Sequence, residues 1–252
     1  MQLQEAEIAL ARELNTSITD IIAGTNQLFS QADLDGAINN GVKRAWNYKP
    51  WTFTEKTYMF ILTSLMIAAG YVDYPNTFED ESAYRLEVPA ITNGTAEFKK
   101  VLFADYQKWF SDYPNDTSNI WTEHERFVFF NPYAVTAGQE VDISGKLRAP
   151  TLVNPTDLLP FSPTTDNQES SGNQAIVLLA YSELLDSDKK QDHPNAKIQE
   201  GRAMMLLDTL WAPIGELRAQ KNSKNRPFFN TQDMFNSRRS SRYDSPTGNF
   251  NL

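Results

Sequence analysis

The chain has no cysteine among its 252 residues, which excludes a disulfide framework, a thiolate metal site and a thiol nucleophile. Histidine is scarce as well: only His124 and His193 occur. His124 lies in Thr122-Glu-His-Glu, a possible metal-ligand cluster. On a strand, however, Glu123 and Glu125 point away from His124, and the run reads as a surface charge cluster. His193, between Asp192 and Pro194, reads as a solvated turn residue. Glycine-rich phosphate loops are missing. Gly172-Asn-Gln-Ala is a lone glycine before a helix, and Ser144-Gly145 lacks the flanks of a nucleophile elbow. Asp73, Glu79, Asp80 and Glu81 lack the spacing and bend glycine of a calcium loop. Long apolar runs are also absent. The longest, Met59 to Ala69, is roughly half a membrane span and contains Thr63 and Ser64. The N-terminal residues show neither the basic start nor the apolar block of a signal peptide. We expect a soluble chain with no membrane contact and no cofactor or metal.

Cationic charge is in short supply: 23 Lys and Arg oppose 32 Asp and Glu, a net −9. That balance argues against tight DNA binding, which needs clustered Lys and Arg. The deficit is uneven. Lys221, Lys224, Arg226, Arg238, Arg239 and Arg242 face only Asp233 and Asp244, so residues 221–252 carry +4 and the rest −13. Phe228, Phe229, Met234, Phe235 and Tyr243 punctuate this segment between Asn, Ser, Pro and Gly. So little apolar surface does not offset the entropy of ordering, so alone the segment is expected to be disordered and to dock on a partner.

What is abundant suffices for a core: 40% of residues are hydrophobic and 12% aromatic, enough for one large or two modest cores. Ser17 with Asp20, then Ser30 with Asp33, read as capping boxes. Ile18, Ile21, Ile22, Thr25, Leu28 and Phe29 predict one helix face, and Leu34, Ala37, Ile38, Val42, Ala45 and Trp46 a second, which Pro50 stops. A short amphipathic piece, Ile8 to Leu14, precedes them. Pro75, Pro89, Pro114, Pro132, Pro150, Pro155, Pro160 and Pro163 then argue against long helices. Tyr84-Arg-Leu-Glu-Val and Val141-Asp-Ile-Ser alternate as strands, Arg126-Phe-Val-Phe-Phe is a short aromatic strand, and Thr136-Ala-Gly-Gln reads as a hairpin turn. Glu97 to Phe110 fits either type. Helical spacing returns at Gln174–Leu185 and Ala196–Leu210, with Pro213 and Gly215 disturbing the end. Trp46-Asn-Tyr-Lys-Pro-Trp-Thr-Phe reads as a buried plug where helix passes to sheet.

The expected fold class is α+β: mainly a helical bundle of N- and C-terminal hairpins, with an inserted small β domain and an extended C-terminal arm. Residues 1–50 form the first part of the bundle, 51–165 the β-rich insert, 166–220 the second part and 221–252 the arm.

Several stretches, in order, resemble head-to-tail adaptor proteins of tailed bacteriophages, the group of tail tubular protein A and related tail accessory factors. They are Asp33-Leu-Asp-Gly-Ala-Ile-Asn-Asn-Gly-Val-Lys-Arg-Ala-Trp-Asn-Tyr-Lys-Pro-Trp, Tyr71-Val-Asp-Tyr-Pro, Phe129-Phe-Asn-Pro and Gly138-Gln-Glu-Val-Asp-Ile-Ser-Gly, then Ala175-Ile-Val-Leu-Leu-Ala-Tyr-Ser-Glu-Leu-Leu and Arg226-Pro-Phe-Phe-Asn-Thr-Gln-Asp-Met-Phe. The resemblance implies a non-enzymatic virion protein of the neck, assembled in the host cytoplasm. It implies a ring, usually of twelve copies, contacting the portal protein, the tail or nozzle protein and itself, with genomic DNA passing through unbound. It implies a helical ring wall from Ser17–Pro50 and Asn173–Trp211, with subunit contacts from the helix after Ser30. The portal anchors would be Arg226, Phe228, Phe229, Met234, Phe235, Arg238, Arg239 and Arg242. Alternatives are another neck or tail ring or stopper, a carbohydrate-binding module with exposed aromatics, and a glycan-processing enzyme using Glu123 or Asp142 as acid.

Overall fold

A computed structural model of the chain describes residues 1–26, 28–90, 94–161 and 171–225. Met1–Leu207 form one compact unit and Asp208–Leu252 a second.

The first unit begins with α1 (Leu3–Glu13), a single-turn helix α2 (Ile18–Ile22) and α3 (Gln31–Tyr48). The start of α3 follows from its cap. The Ser30 hydroxyl accepts from the Asp33 N–H at 3.3 Å, and the Asp33 carboxylate accepts from the Ser30 N–H at 2.8 Å. The apolar positions of α3 recur at helical spacing, and Leu34, Ala37, Ile38, Val42, Ala45 and Trp46 are all buried. The second expected capping box does not form. Ser17 makes no side-chain cap, and Gly24, at φ +69°, ends the helix after one turn. Ile22 and Leu28, assigned above to a buried face, are therefore exposed. There are two longer helices, α1 and α3, joined through a short turn of helix, rather than one hairpin.

The largest correction concerns fold class. The protein is α+β with a curled, seven-stranded mixed sheet and seven α-helices among the described residues; it is not mainly a helical bundle. The strands are β1 (Glu55–Ile61), β2 (Tyr71–Asp73), β3 (Phe78–Ala90), β4 (Gly94–Lys100), β5 (Ile120–His124), β6 (Phe127–Phe130) and β7 (Glu140–Leu147), in spatial order β1-β7-β3-β4-β5-β6-β2. All pairs are antiparallel except β4 with β5. Two features hid this sheet. β1 is exposed on both faces apart from a half-buried Phe60, so it shows no alternation. The apolar run that begins in it continues into α4 (Ser64–Ala69), capped by Thr63 and ended by Gly70 at φ +74°. The ambiguous stretch is both types in turn: β4 stops at Lys100 and α5 (Phe103–Asp112) starts after Leu102. The turn at Gly138, φ +86°, is present but closes no hairpin, because β7 pairs with β1 and β3 and not with β6. Leu86, Val88, Phe98, Trp121, Val128, Phe130, Val141 and Ile143 fill the concave side of the sheet.

The helices α6 (Ser171–Asp186) and α7 (His193–Asn225) follow. Within the first unit α6 packs on α3 and α1. The α3–α6 approach is close at Gly41, where an added Cβ would lie 2.7 Å from the Ile176 carbonyl oxygen. On α7 the buried positions up to Leu207 are Ala196, Ala203 and Leu207, while Ile198 and Met205 are exposed. In the second unit α7 does not break at Pro213 as expected but continues to Asn225. A proline inside a helix removes one hydrogen bond.

Trp46 and Trp51 are both buried. The Trp46 indole N–H donates to the Leu147 carbonyl at the end of β7 at 2.9 Å, and that of Trp51 to the Ala45 carbonyl at 2.8 Å. The Lys146 ammonium adds a bond to the Asn47 side chain at 2.5 Å. The helical layer is thereby tied to the sheet.

Gly41 and Gly36 lie in the same helix, and a Cβ at Gly36 would meet nothing. Gly41→Ala is expected to lower stability by about 1–3 kcal/mol through overpacking, less up to about 1 kcal/mol of helix propensity. Gly36→Ala is expected to raise it by about 0.5–1 kcal/mol. Urea unfolding of both variants measures this, and a gain at both positions contradicts the close approach.

Candidate functional site

All eight residues expected to anchor a partner, Arg226, Phe228, Phe229, Met234, Phe235, Arg238, Arg239 and Arg242, lie outside the described residues. Lys221 and Lys224 fall on the last turns of α7. Besides the polar cleft lined by Arg44, Glu183, Asp186, Lys197 and Glu200, three other places among the described residues bring polar or aromatic side chains together.

The first surrounds the Thr122–Glu125 cluster. His124 and Phe127 close the β5–β6 hairpin through Glu125 and Arg126, both at positive φ (48° and 66°). Two-residue hairpins demand this geometry, and Asn and Gly usually supply it. Arg126 offsets the strain by bonding Asp80 at 2.5 Å and Asn76 at 3.0 Å, and its carbonyl accepts from Tyr74 N–H at 2.8 Å. The Glu123 carboxylate pairs with Lys100 and accepts from the Ala83 N–H at 3.2 Å. His124 instead stacks on Phe103, with centroids 4.0 Å apart. Among the described residues no group of three His, Cys, Asp or Glu side chains converges as metal ligands. The Tyr74 hydroxyl donates to the Glu79 carbonyl and accepts from the Ser82 and Ala83 N–H groups, all at 2.9 Å. It thus holds the irregular start of β3, where the register against β7 shifts. Burial pushes the Tyr74 hydroxyl pKa up, and the Glu123 carboxylate adds to the shift. Of the acidic residues considered for calcium, Asp80 bridges Arg126 and Arg148, and Glu79 pairs with Lys146. Asp142, the other acid considered for glycan chemistry, is on β7 and faces away from the core residues Val141 and Ile143.

The second place is an aromatic groove of about 320 Å³ lined by Ala69, Gly70, Tyr106, Gln107, Phe110, Phe129 and Pro132. α5 forms one wall. The Tyr106 hydroxyl donates to the Phe130 carbonyl at 2.9 Å, and burial pushes its pKa up to about 12. Phe103, Phe127 and Phe129 continue to Tyr71 at centroid distances of 4.9–6.3 Å. Phe110 and Tyr71 are each 38% exposed, so the cluster reaches solvent at both. Asn131, fully buried, fixes the rim by donating to the Asp116 and Ser118 carbonyls, both at 2.8 Å. Sequence reasoning identified the β6 aromatics but left Glu97 to Phe110 open between helix and strand, because the end of β4 and the start of α5 fall in one aromatic-rich stretch.

The third is a carboxyl pair between α1 and α3. Glu7 is 3% exposed, and Asp35 Oδ1 is buried with no hydrogen-bond partner. Burial pushes the Glu7 carboxyl up to about 7, the Asp35 hydrogen bond and charge add to the shift, and Gln31 opposes it. Two residues before Asp35, on the same turn of α3, the sign reverses. Lys189 and Ser30 hold Asp33 down at about 2.

No protein-family model matches the chain, and no curated protein matches it significantly.

The raised Glu7 pKa has a stability consequence. The folded state keeps a proton that the unfolded chain releases near pH 4.5. Stability from this group is complete below that pH, declines as pH rises to about 7 and is flat above. The loss is of the order of 3 kcal/mol at about 1.4 kcal/mol per pH unit. The Asp33 contribution is already complete above pH 3.8, so it does not change between pH 5 and pH 8. Glu7→Gln is expected to abolish the decline in thermal melts between those values; an unchanged decline assigns it to another group.

Proposed function

We propose that this chain is a head-to-tail adaptor of a tailed bacteriophage. It is a structural virion protein that closes into a ring, of twelve copies, beneath the portal. The ring extends the DNA channel and gives the tail or nozzle a platform. The observation that carries this reading is where the family-like stretches fall. Asp33–Trp51 forms most of α3 and the two-tryptophan junction, and Tyr71–Pro75 supplies β2 and the Tyr74 anchor. Phe129–Pro132 supplies the end of β6 and Asn131, Gly138–Gly145 most of β7, and Ala175–Leu185 most of α6. The resemblance therefore sits in residues that build the scaffold rather than in one surface motif. Function is carried over from the family by analogy with that scaffold.

Charge supports the same reading. A body at −13 suits a channel that DNA slides through, since like charge opposes sticking. Residues 221–252, at +4 and carrying Arg226, Phe228, Phe229, Met234, Phe235, Arg238, Arg239 and Arg242, supply cationic and aromatic anchors for the portal. Copy number multiplies a modest affinity per arm. A second reading, a carbohydrate- or cell-binding module, is favoured by the open aromatic groove, where the partly exposed Phe110 offers a ring for stacking, with Tyr71 exposed nearby against Phe129.

Co-sedimentation with purified portal rings, comparing the full chain with one ending at Asn225, tests the proposal. Binding by the full chain, lost on truncation, is the expected result. Equal binding by both removes the arm from the docking role, and no binding by either rejects the adaptor assignment.

A further inference from the structure

The sheet ends at β1, and among the described residues no strand pairs with its outer edge. Natural edges are blunted by shortness, bulges, proline or charge. The opposite edge follows this rule, since β2 has only three residues. β1 does not. It runs for seven residues in unbroken register with β7 and contains no proline. Its only cation, Lys56, stands near one end. Tyr58, Met59 and Ile61 are 47%, 60% and 63% exposed, and Leu65 just beyond is 83% exposed.

The direction of the backbone groups can be assigned. The Leu62 N–H donates to the Gln139 carbonyl and the Leu62 carbonyl accepts from the Gly138 N–H, both at 2.8 Å and both toward the β7 side. Hydrogen bonding alternates residue by residue along an antiparallel ladder. Phe60, Tyr58 and Lys56 therefore bond β7, and the N–H and C=O groups of Thr57, Met59 and Ile61 point to the open edge.

The chemistry beside that edge is one-sided. Met59 stands opposite Asp142 and Ile61 opposite Glu140, and the row continues from Asp142 to Glu87 to Glu97. Like charges directly opposite one another destabilise a sheet. Arg85 pairs with Glu87, whereas among the described residues no ion pair engages Glu97, Glu140 or Asp142. At this half of the edge two apolar side chains are backed by two carboxylates; the neighbouring rows contribute Lys99, Arg85 paired with Glu87, and Lys146 paired with Glu79.

We infer that β1 accepts an eighth strand from a second polypeptide, an extended basic segment. Its main chain bonds Thr57, Met59 and Ile61; the stems of its cationic side chains cover Met59 and Ile61 and carry their charges toward Glu140 and Asp142 on the same face, and its alternate, apolar side chains lie beside Tyr58 on the other. This is strand addition to a sheet edge, with main-chain hydrogen bonds giving affinity and alternate side chains giving selectivity. It rests on the geometry and charge of the edge and holds whether or not the chain is an adaptor.

The test uses the full chain and a fluorescein-labelled nine-residue peptide alternating lysine and valine, read by anisotropy. Binding that weakens with added salt is expected, and the matching glutamate–valine peptide should bind far more weakly. Methylating one alternate set of peptide main-chain nitrogens should abolish binding, and methylating the other set should not. Met59→Pro, which removes an edge N–H without touching the β7 ladder, should weaken binding roughly tenfold or more. The Glu140→Gln/Asp142→Asn double variant should weaken it and flatten its salt dependence. The inference is overturned if both charge types bind alike, if both methylated peptides bind like the parent, or if nothing binds at millimolar peptide. It is also overturned if the chain self-associates without peptide and Met59→Pro abolishes that, because the edge then receives a second copy of β1.

Discussion

The structure of Met1–Leu207 depends on one junction, the two indole hydrogen bonds where α3 hands the chain to the sheet. Trp46 reaches from the last turn of α3 to the end of β7, and Trp51 reaches back to the carbonyl of Ala45. A buried indole N–H without a partner is costly, so each ring has a single well-satisfied seat. That seat sets where the helical layer meets the strand next to the sheet edge. The close approach of α3 to α6 at Gly41 and the open edge at β1 both lie within reach of elements this junction fixes.

Polar interactions divide the unit into a neutral sheet core and a charged exterior. The core side of the sheet is filled by hydrophobic residues, with Glu123 at its margin beside Val128. Around it, carboxylates are held by named partners: Glu123 by Lys100, Asp80 by Arg126 and Arg148, Asp33 by Lys189. Glu7 and Asp35 depart from this pattern, as two acids share a buried interface and one keeps its proton to near neutrality. In the outer row of β7, β3 and β4 three carboxylates stand in register: Glu87 is held by Arg85, whereas Asp142 and Glu97 join no ion pair among the described residues.

Much of the local structure was legible in the sequence. The Ser30–Asp33 box and the Leu34-to-Trp46 periodicity marked α3 because both arise from contacts within one helix. Alternation marked β3 and β7 because each has one buried face. The reading failed where long-range context decides. Ser17–Asp20 looks like Ser30–Asp33, but Gly24 in a left-handed conformation stops that helix before it has a face to bury. β1 has no buried face and so gives no period-2 signal, and without it the sheet looked like a small insert. The aromatic groove was not legible, since it joins α5 to β6 across some twenty residues. The residues expected to carry docking lie in 226–252, outside the described residues.

The central claim is that this chain works as one member of a closed ring on a portal. The most direct measurement is the mass of the complex formed when an excess of the chain is mixed with purified portal rings. The account predicts a single species with a fixed stoichiometry of twelve copies per ring, reached without partly filled intermediates once the chain is in excess. A distribution of copy numbers that shifts with concentration, or portal rings that keep their own mass, would contradict it.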